Sequence, residues 1–238
     1  MCLLCKHFLF CQSKNSSCIF SCSYYNRVMK NIIVGLFGQA ASGKDTIAAM
    51  LAPRLWQYID YDKPLVTKIA FAYNVKKIFC DYFDVDFDFI EEWKRNPESP
   101  PGFTMNVRQA LQMIGDGFRK VKNSVWIDKV LNKMQNVIIT DGRYLNEAKA
   151  IKEKNGIVVL VDRPSHRNAD QNDSEKIMGE VSDYFGNKDM NGIIADNNYP
   201  MFDYYVKNDS SILNLEEKII QQLIPFIVEK FELKVCKY

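Results

Sequence analysis

The 238-residue sequence predicts an α/β fold: a central parallel sheet of about five strands, helices on both faces, and a lid. Three observations predict it. Short apolar, largely β-branched runs recur at 32–37, 65–71, 137–140, 157–161 and 204–207, and the first of them suits a strand buried on both faces. Stretches with helical spacing separate these runs, the alternation of a βαβ chain. Finally, the first run passes straight into a glycine-bounded turn and then a helical pattern, the order that a phosphate-binding loop requires.

The loop reads Gly38-Gln39-Ala40-Ala41-Ser42-Gly43-Lys44, matching G-x-x-x-x-G-K. Its glycines let the backbone turn so that N–H groups point into an anion-sized hollow, and the next helix adds the positive end of its dipole. Lys44 is placed to reach the β- and γ-phosphates of a nucleotide. The next residue is Asp45 rather than Ser or Thr, and Thr46 follows. The usual Mg²⁺-binding hydroxyl is therefore replaced by a carboxylate or displaced by one position. A plain reading of the same residues is a glycine turn that caps an ordinary helix.

After the loop, 46–56 continues as a helix with Ile47, Leu51 and Leu55 on one face, and Pro53 is expected to kink it or end it early. The second strand, 65–71, exits into a helix whose first cations are Lys76 and Lys77. Ligands gather at the carboxyl ends of strands in open α/β sheets, so one of these lysines can meet a substrate; a solvated helix face is the alternative. Residues 81–105 mix acids with aromatics and prolines, the character of an insertion folding over the acceptor side.

The helix that follows carries two stripes. Val107, Leu111, Ile114 and Phe118 fall at 0, 4, 7 and 11, one face to be buried. Arg108, Gln112, Gly115 and Arg119 form the neighbouring edge. Guanidiniums fork around phosphate oxygens, and an amide can read a base edge with both a donor and an acceptor. Solvated surface is the competing explanation.

A further helix at 126–134 leads to the third strand, which ends in Asp141-Gly142-Arg143. A carboxylate at a central strand tip beside a phosphate loop can hold Mg²⁺ through water or accept a proton, and Arg143 can clamp a phosphate. Alternatively the pair caps the helix that opens at Asn146 and Glu147. The fourth strand, 157–161, leads to a polar segment at 163–200 with Arg163, His166 and Arg167 near its start. Mobile cations there fit a lid that closes on transferring phosphates. His166 reads as polar surface. Asn208 and Asp209 follow the last strand, and 213–231 is a closing helix that Pro225 is expected to bend or end.

Composition bounds the rest. A 47% hydrophobic content with 25% charge affords a sizeable core, and a net charge of +2 gives no argument for a nucleic-acid or membrane surface. No run approaches the roughly 18–20 apolar residues that span a bilayer, so the chain reads as soluble. Five of the seven cysteines fall in the first 22 residues, which leaves the body without a disulfide framework and implies a reducing, cytoplasmic setting. Residues 1–28 read as a disordered leader ahead of a start at Met29. A zinc site there (Cys2-x-x-Cys5 with His7 or Cys11) is the weaker alternative.

Taken together the residues resemble the bacteriophage-type deoxynucleoside monophosphate kinases. The matching pieces are Gly38 to Thr46 with its Lys-Asp-Thr, Phe71-Ala72, Arg108-Gln109-Ala110-Leu111-Gln112 with Gly115 and Arg119, and Asp141-Gly142-Arg143 with Asn146-Glu147. Asp173-Ser174-Glu175 and Asn208-Asp209 are also similar. The resemblance implies a P-loop kinase domain over 29–238, with ATP and Mg²⁺ as cofactors and a small-molecule nucleotide as partner; a homodimer is left open. On this likeness Gly38, Ala41, Ser42, Gly43 and Lys44 would hold ATP phosphates, Asp45 and Thr46 the metal, and Asn208 the adenine edge. Lys76, Arg108, Gln109, Gln112, Arg119 and Arg143 would hold the acceptor, with Asp141 at the junction and Arg163 and Arg167 neutralising charge from the lid. The sequence departs from the family at Tyr73-Asn74, where an acid and a proline are common, and in the leader. Two other readings compete: a related kinase of phosphomevalonate or dephospho-coenzyme A, and a nucleotide-binding regulatory module without an acceptor.

Overall fold

The structure, a computed structural model, describes residues 31–59, 65–132, 135–166, 173–188, 190 and 192–234. The Cys-rich leader with its zinc alternative, the turn at 60–64 and Arg167 lie outside the described residues.

Strand β1 (Ile33–Phe37) has no polar position, and all five residues are buried, as such a run demands. It lies between β3 (Val137–Gly142) and β4 (Ile157–Asp162), parallel to both. Beyond β3 lies β2 (Thr67–Ile69), and beyond β4 lies β6 (Tyr204–Lys207), again parallel. The two-residue β5 (Gly192–Ile193) adds an antiparallel edge, so the order is β2-β3-β1-β4-β6-β5. The sheet thus has six strands among the described residues, against about five expected.

Alternate strand residues feed two apolar layers. On one face Val34, Leu36, Ile138, Val159 and Val206 pack with Ile47, Leu51 and Leu55 of α1 (Lys44–Leu55) and with the closing helix. On the other, Ile33, Phe37, Ile139, Val158 and Leu160 pack with α5 (Val125–Leu131) and α6 (Leu145–Glu153). Met178, Val181 and Phe185 of α7 (Asp173–Gly186) join that second layer. Within the polar segment at 163–200, α7 is thus a helix with one side in the core.

The insertion is also more ordered than its composition suggests. After α2 (Tyr73–Phe83) comes α3 (Phe87–Trp93), started by the Asp86 carboxylate, which accepts the Phe89 N–H at 2.8 Å. With α4 (Val107–Val121) these helices enclose a satellite core around Phe79, Ile90, Val107 and Ala110. The expected stripe of α4 holds for three of its four residues, Val107 being buried and Leu111 and Ile114 partly buried against the apolar clusters. Val107, Ala110 and Gly115 are buried, whereas Phe118 is 44% exposed and leans one side of its ring on Trp126. Helix α4 packs on other helices rather than on the sheet, so it needs only a narrow apolar face.

Pro53 does not end its helix early, whereas the break expected at Pro225 is present. Pro53 sits near the end of α1, which runs on to Leu55. The closing helix comprises α8 (Ile212–Lys218), a wide π turn at Ile219–Leu223 and α9 (Ile224–Phe231), with Pro225 at the start of α9. The wide turn takes up the missing N–H, and α9 carries on beyond it. Among the described residues no helix is long and apolar enough to cross a membrane.

Candidate phosphate-binding site

Because β1 has parallel neighbours on both sides, the connections leaving β1, β3 and β4 start from the same edge and diverge, which opens a crevice at the β1 exit. The loop 38–43 occupies that crevice. Gly38 has φ +144°, and a Cβ there would stand 2.1 Å from the Val161 carbonyl oxygen, so only glycine can make the turn off β1 beside β4. Gly43, left-handed at φ 102°, is the N-cap of α1 and leaves the first turn of that helix open at the loop.

Lys44 is buried, and its ammonium donates to the carbonyl oxygens of Gly38 (2.8 Å) and Gln39 (2.6 Å) and to Ser42 Oγ (3.3 Å). Burial, and then the nearby Arg143 guanidinium, lower its pKa from 10.5 to about 8; the carboxylates of Glu175, Asp141 and Asp45 oppose them. Asn208, beyond β6, donates its side-chain N–H to the Ser42 carbonyl at 2.9 Å. It therefore touches the loop itself rather than only the rim where an adenine edge was expected. Asp45 is exposed and Thr46 half-buried in the first turn of α1, both beside the loop.

Asp141, near the end of β3, is half-buried. Its two carboxylate oxygens accept the backbone N–H groups of Phe71 (2.7 Å) and Ala72 (2.9 Å), which tie the β2 exit to the β3 exit. Burial raises its pKa, while those two hydrogen bonds, Arg143 and Lys44 pull the other way. Two residues on, Arg143 pairs with Glu175 of α7. Glu147 accepts the N–H groups of Arg143 (2.9 Å) and Tyr144 (3.1 Å) on a single oxygen, closing the turn into α6. Its burial raises its pKa from 4.5 to about 7.

The acceptor-side residues are only partly brought together. Arg119 lies over the Tyr144 ring, 4.7 Å from the centroid, and donates to Asp116 at 3.0 Å, so it stands at the β3 exit. Arg108, Gln109 and Gln112 are exposed further along α4; eleven residues of helix separate Arg108 from Arg119 by about 16 Å. Lys76 is engaged by Glu91 at 2.7 Å. Arg163 is half-buried just beyond β4.

Two contributors were not singled out from the sequence. Glu175, in the Asp173-Ser174-Glu175 motif, is 1% exposed and reaches the loop, its Oε2 accepting the Ala40 N–H at 2.8 Å. Asp162, the acid closing the apolar run of β4, is buried and accepts the Tyr205 hydroxyl at 2.8 Å. Its signal was present in the sequence, since an acid terminates an otherwise apolar strand.

The donor set fits a polyphosphate with Mg²⁺. Glycine-shaped backbone and a helix start meet at the loop with Lys44, and Arg143 joins the same loop through Glu175. Among the described residues no group of three His, Cys, Asp or Glu side chains could hold a metal alone. Mg²⁺ needs none: it is bound by one or two carboxylates together with substrate phosphates and water, and Asp45 and Thr46 supply suitable oxygens beside the loop.

No family model matches the chain. Over 206 residues it is 26% identical to a protein of Acanthamoeba polyphaga mimivirus named "Putative deoxynucleotide monophosphate kinase", with 78% of this chain and 98% of that protein covered. Among solved structures it is similar to a shikimate kinase from Acinetobacter baumannii, at 15% identity and a TM-score of 0.45, covering 83% of this chain and 95% of that one. It is also similar to a thymidylate kinase from Ehrlichia chaffeensis, at 12% identity and a TM-score of 0.37, covering 80% and 97%. The mimivirus relative bears the same kind of name as the family that the motifs resemble.

Proposed function

We propose that residues 29–238 form a kinase domain that transfers the γ-phosphoryl group of ATP to a deoxynucleoside 5′-monophosphate, giving the diphosphate and ADP. The observation that carries this reading is that two cations from different strand exits are fastened at one loop, Lys44 through the Gly38 and Gln39 carbonyls and Arg143 through Glu175, which also takes the Ala40 N–H. One phosphate site needs only the loop and its lysine. A second cation delivered from another strand suits a second phosphate. The mimivirus relative's name supports a deoxynucleotide as the acceptor.

On this reading the amides of Gly38 to Lys44 and the Lys44 ammonium bind the β- and γ-phosphates, and Asn208 keeps the loop in place through Ser42. Mg²⁺, held with the help of Asp45 and Thr46, supplies charge neutralisation between phosphates. Arg143 and Arg119 orient the acceptor phosphate, and Arg108, Gln109 and Gln112 line its path along α4; Arg163 adds positive charge from the β4 side, and Arg167 is proposed to neutralise charge with it. Lys76 is assigned to holding α3 through Glu91.

Asp141 is assigned a positioning role rather than that of a base. Both its oxygens are engaged by backbone N–H groups. An acceptor phosphate, with its second pKa near about 6, already presents an ionised oxygen at neutral pH. Catalysis is then positioning and charge neutralisation.

The test is ADP release from Mg·ATP by protein starting at Met29, with dTMP, dGMP, dCMP, dAMP, UMP and phosphomevalonate offered singly. Stimulation by one or more deoxynucleotides is expected. Stimulation by phosphomevalonate alone moves the chain to the related kinases, and nucleotide binding without stimulated turnover makes it a regulatory module.

A further inference from the structure

Helix α7 touches the phosphate loop at three points. Glu175 Oε2 accepts the Ala40 N–H at 2.8 Å, the Glu175 carbonyl accepts Gln39 Nε2 at 3.0 Å, and one turn on Gly179 passes so close that a Cβ would lie 2.9 Å from that same Nε2. The other Glu175 oxygen pairs with Arg143 Nη1. The Glu175 side chain is wholly buried while that of Arg143 is 33% exposed, so the carboxylate is the fixed member and the guanidinium the one held.

The electrostatics show why something must hold it. Lys44 is tied to the loop through the Gly38 and Gln39 carbonyls, and Arg143 is brought to the same loop through the Glu175 carboxylate at Ala40. Two cations held at one loop repel each other and gain by separating. Arg143 has solvent to move into; Lys44 does not.

We infer that Glu175 is a positioning residue that fastens Arg143 to the phosphate loop, so that α7 sets the spacing between the two phosphate-binding cations. This rests on reading the site as one of phosphoryl transfer between two phosphates. Its consequence is specific: Glu175 governs how the acceptor phosphate is met, while the donor nucleotide keeps its loop.

Glu175→Gln separates the two arms. The glutamine oxygen can still accept from Ala40, but its NH₂ faces the guanidinium donor to donor and releases it. With saturating Mg·ATP, the acceptor KM of E175Q should rise about tenfold or more while the dissociation constant of Mg·ATP changes by less than about threefold. Arg143→Gln should give a similar acceptor defect, and the double variant should be no worse than R143Q alone. An acceptor KM within about twofold of wild type in E175Q, or additive effects in the double variant, overturns the assignment. A lower melting temperature with unchanged acceptor kinetics overturns it too, since that is what a merely structural role gives.

Hydrogen exchange at the Ala40 amide reads the linkage without turnover. Because the carboxylate joins both partners, R143Q should speed exchange at Ala40 by about threefold or more, and an unchanged rate overturns the inference. This arm decides if E175Q does not fold. It also decides if no acceptor stimulates wild-type turnover, an outcome that removes the kinase reading by itself.

Discussion

Replacing Asp141 by asparagine tests whether that carboxylate holds structure or does chemistry. In the structure its half-buried carboxylate receives the Phe71 N–H at 2.7 Å and the Ala72 N–H at 2.9 Å. Asparagine keeps the shape but has one acceptor oxygen, so its NH₂ is set against one of the two amides. One buried donor is left unsatisfied, at about 1–3 kcal/mol, and the surviving bond loses its charge assistance, about another 1 kcal/mol. Relief from burying a charge offsets part of this, which leaves a loss of about 2–4 kcal/mol. For a chain of this size that is about 5–15 °C in melting temperature. The assay pairs thermal unfolding, followed by circular dichroism, with initial rates taken at a temperature where the variant is still folded. The expected result is a large fall in melting temperature with a turnover defect that follows the displaced β2 exit. A melting temperature within about 2 °C of wild type, with turnover down about a thousandfold, would refute the reasoning and return Asp141 to a chemical role.

Other outcomes follow from single residues. Gly38→Ala places a methyl group 2.1 Å from the Val161 oxygen at φ +144°, so it should cost about 3 kcal/mol or more and abolish nucleotide binding; a stable variant with wild-type affinity contradicts the loop geometry. Glu147 has its pKa raised from 4.5 to about 7, so the folded state keeps a proton that the unfolded chain releases. Stability from this group is therefore fullest below pH 4.5, falls as pH rises to about 7 and is level above, by of the order of 3 kcal/mol in all. Both backbone N–H groups bond to Oε2, so a proton on Oε1 breaks neither. Urea unfolding of wild type and Glu147→Gln from pH 5 to 8 should show the wild type losing ground to the variant; parallel profiles count against the burial argument. Lys44, lowered to about 8, should recover its charge against polyphosphate, so nucleotide binding takes up a proton above that pH and weakens by up to about tenfold per pH unit. Calorimetry in two buffers of different ionisation enthalpy measures this uptake, and buffer-independent heats at pH 9 speak against it.

Much of the sheet was legible because its centre is buried on both faces. Runs such as Val158 to Val161 can be little else, and β3, β4 and β6 fall within two residues of their expected ends. Strand β2 shrank to three residues because Leu65 is 53% exposed and the Phe71 backbone is used by Asp141. A two-residue β5 carries no pattern at all. Helix α3 was hidden because seven residues span two turns, too few for a periodicity, and its aromatics serve a satellite core.

In the site, the loop and the Asp141-Gly142-Arg143 exit could be read because their spacing is local. Glu175 could not, since its partners Ala40 and Arg143 are 135 and 32 residues away. An acid in a polar stretch looks solvated until the helix is seen to bury it. The same holds for Arg119, whose place over the Tyr144 ring at the β3 exit has no signal in the helix edge that it shares with Arg108.

The most direct test of the central claim is to follow the label from [γ-³²P]ATP when wild-type protein and Lys44→Ala are each incubated with Mg²⁺ and the deoxynucleoside monophosphate that stimulates ADP release best. The account predicts label in the β-phosphate of the deoxynucleoside diphosphate for wild type, and less than about 1% of that rate for the variant. Label recovered only as inorganic phosphate, or equal transfer by both proteins, would contradict it.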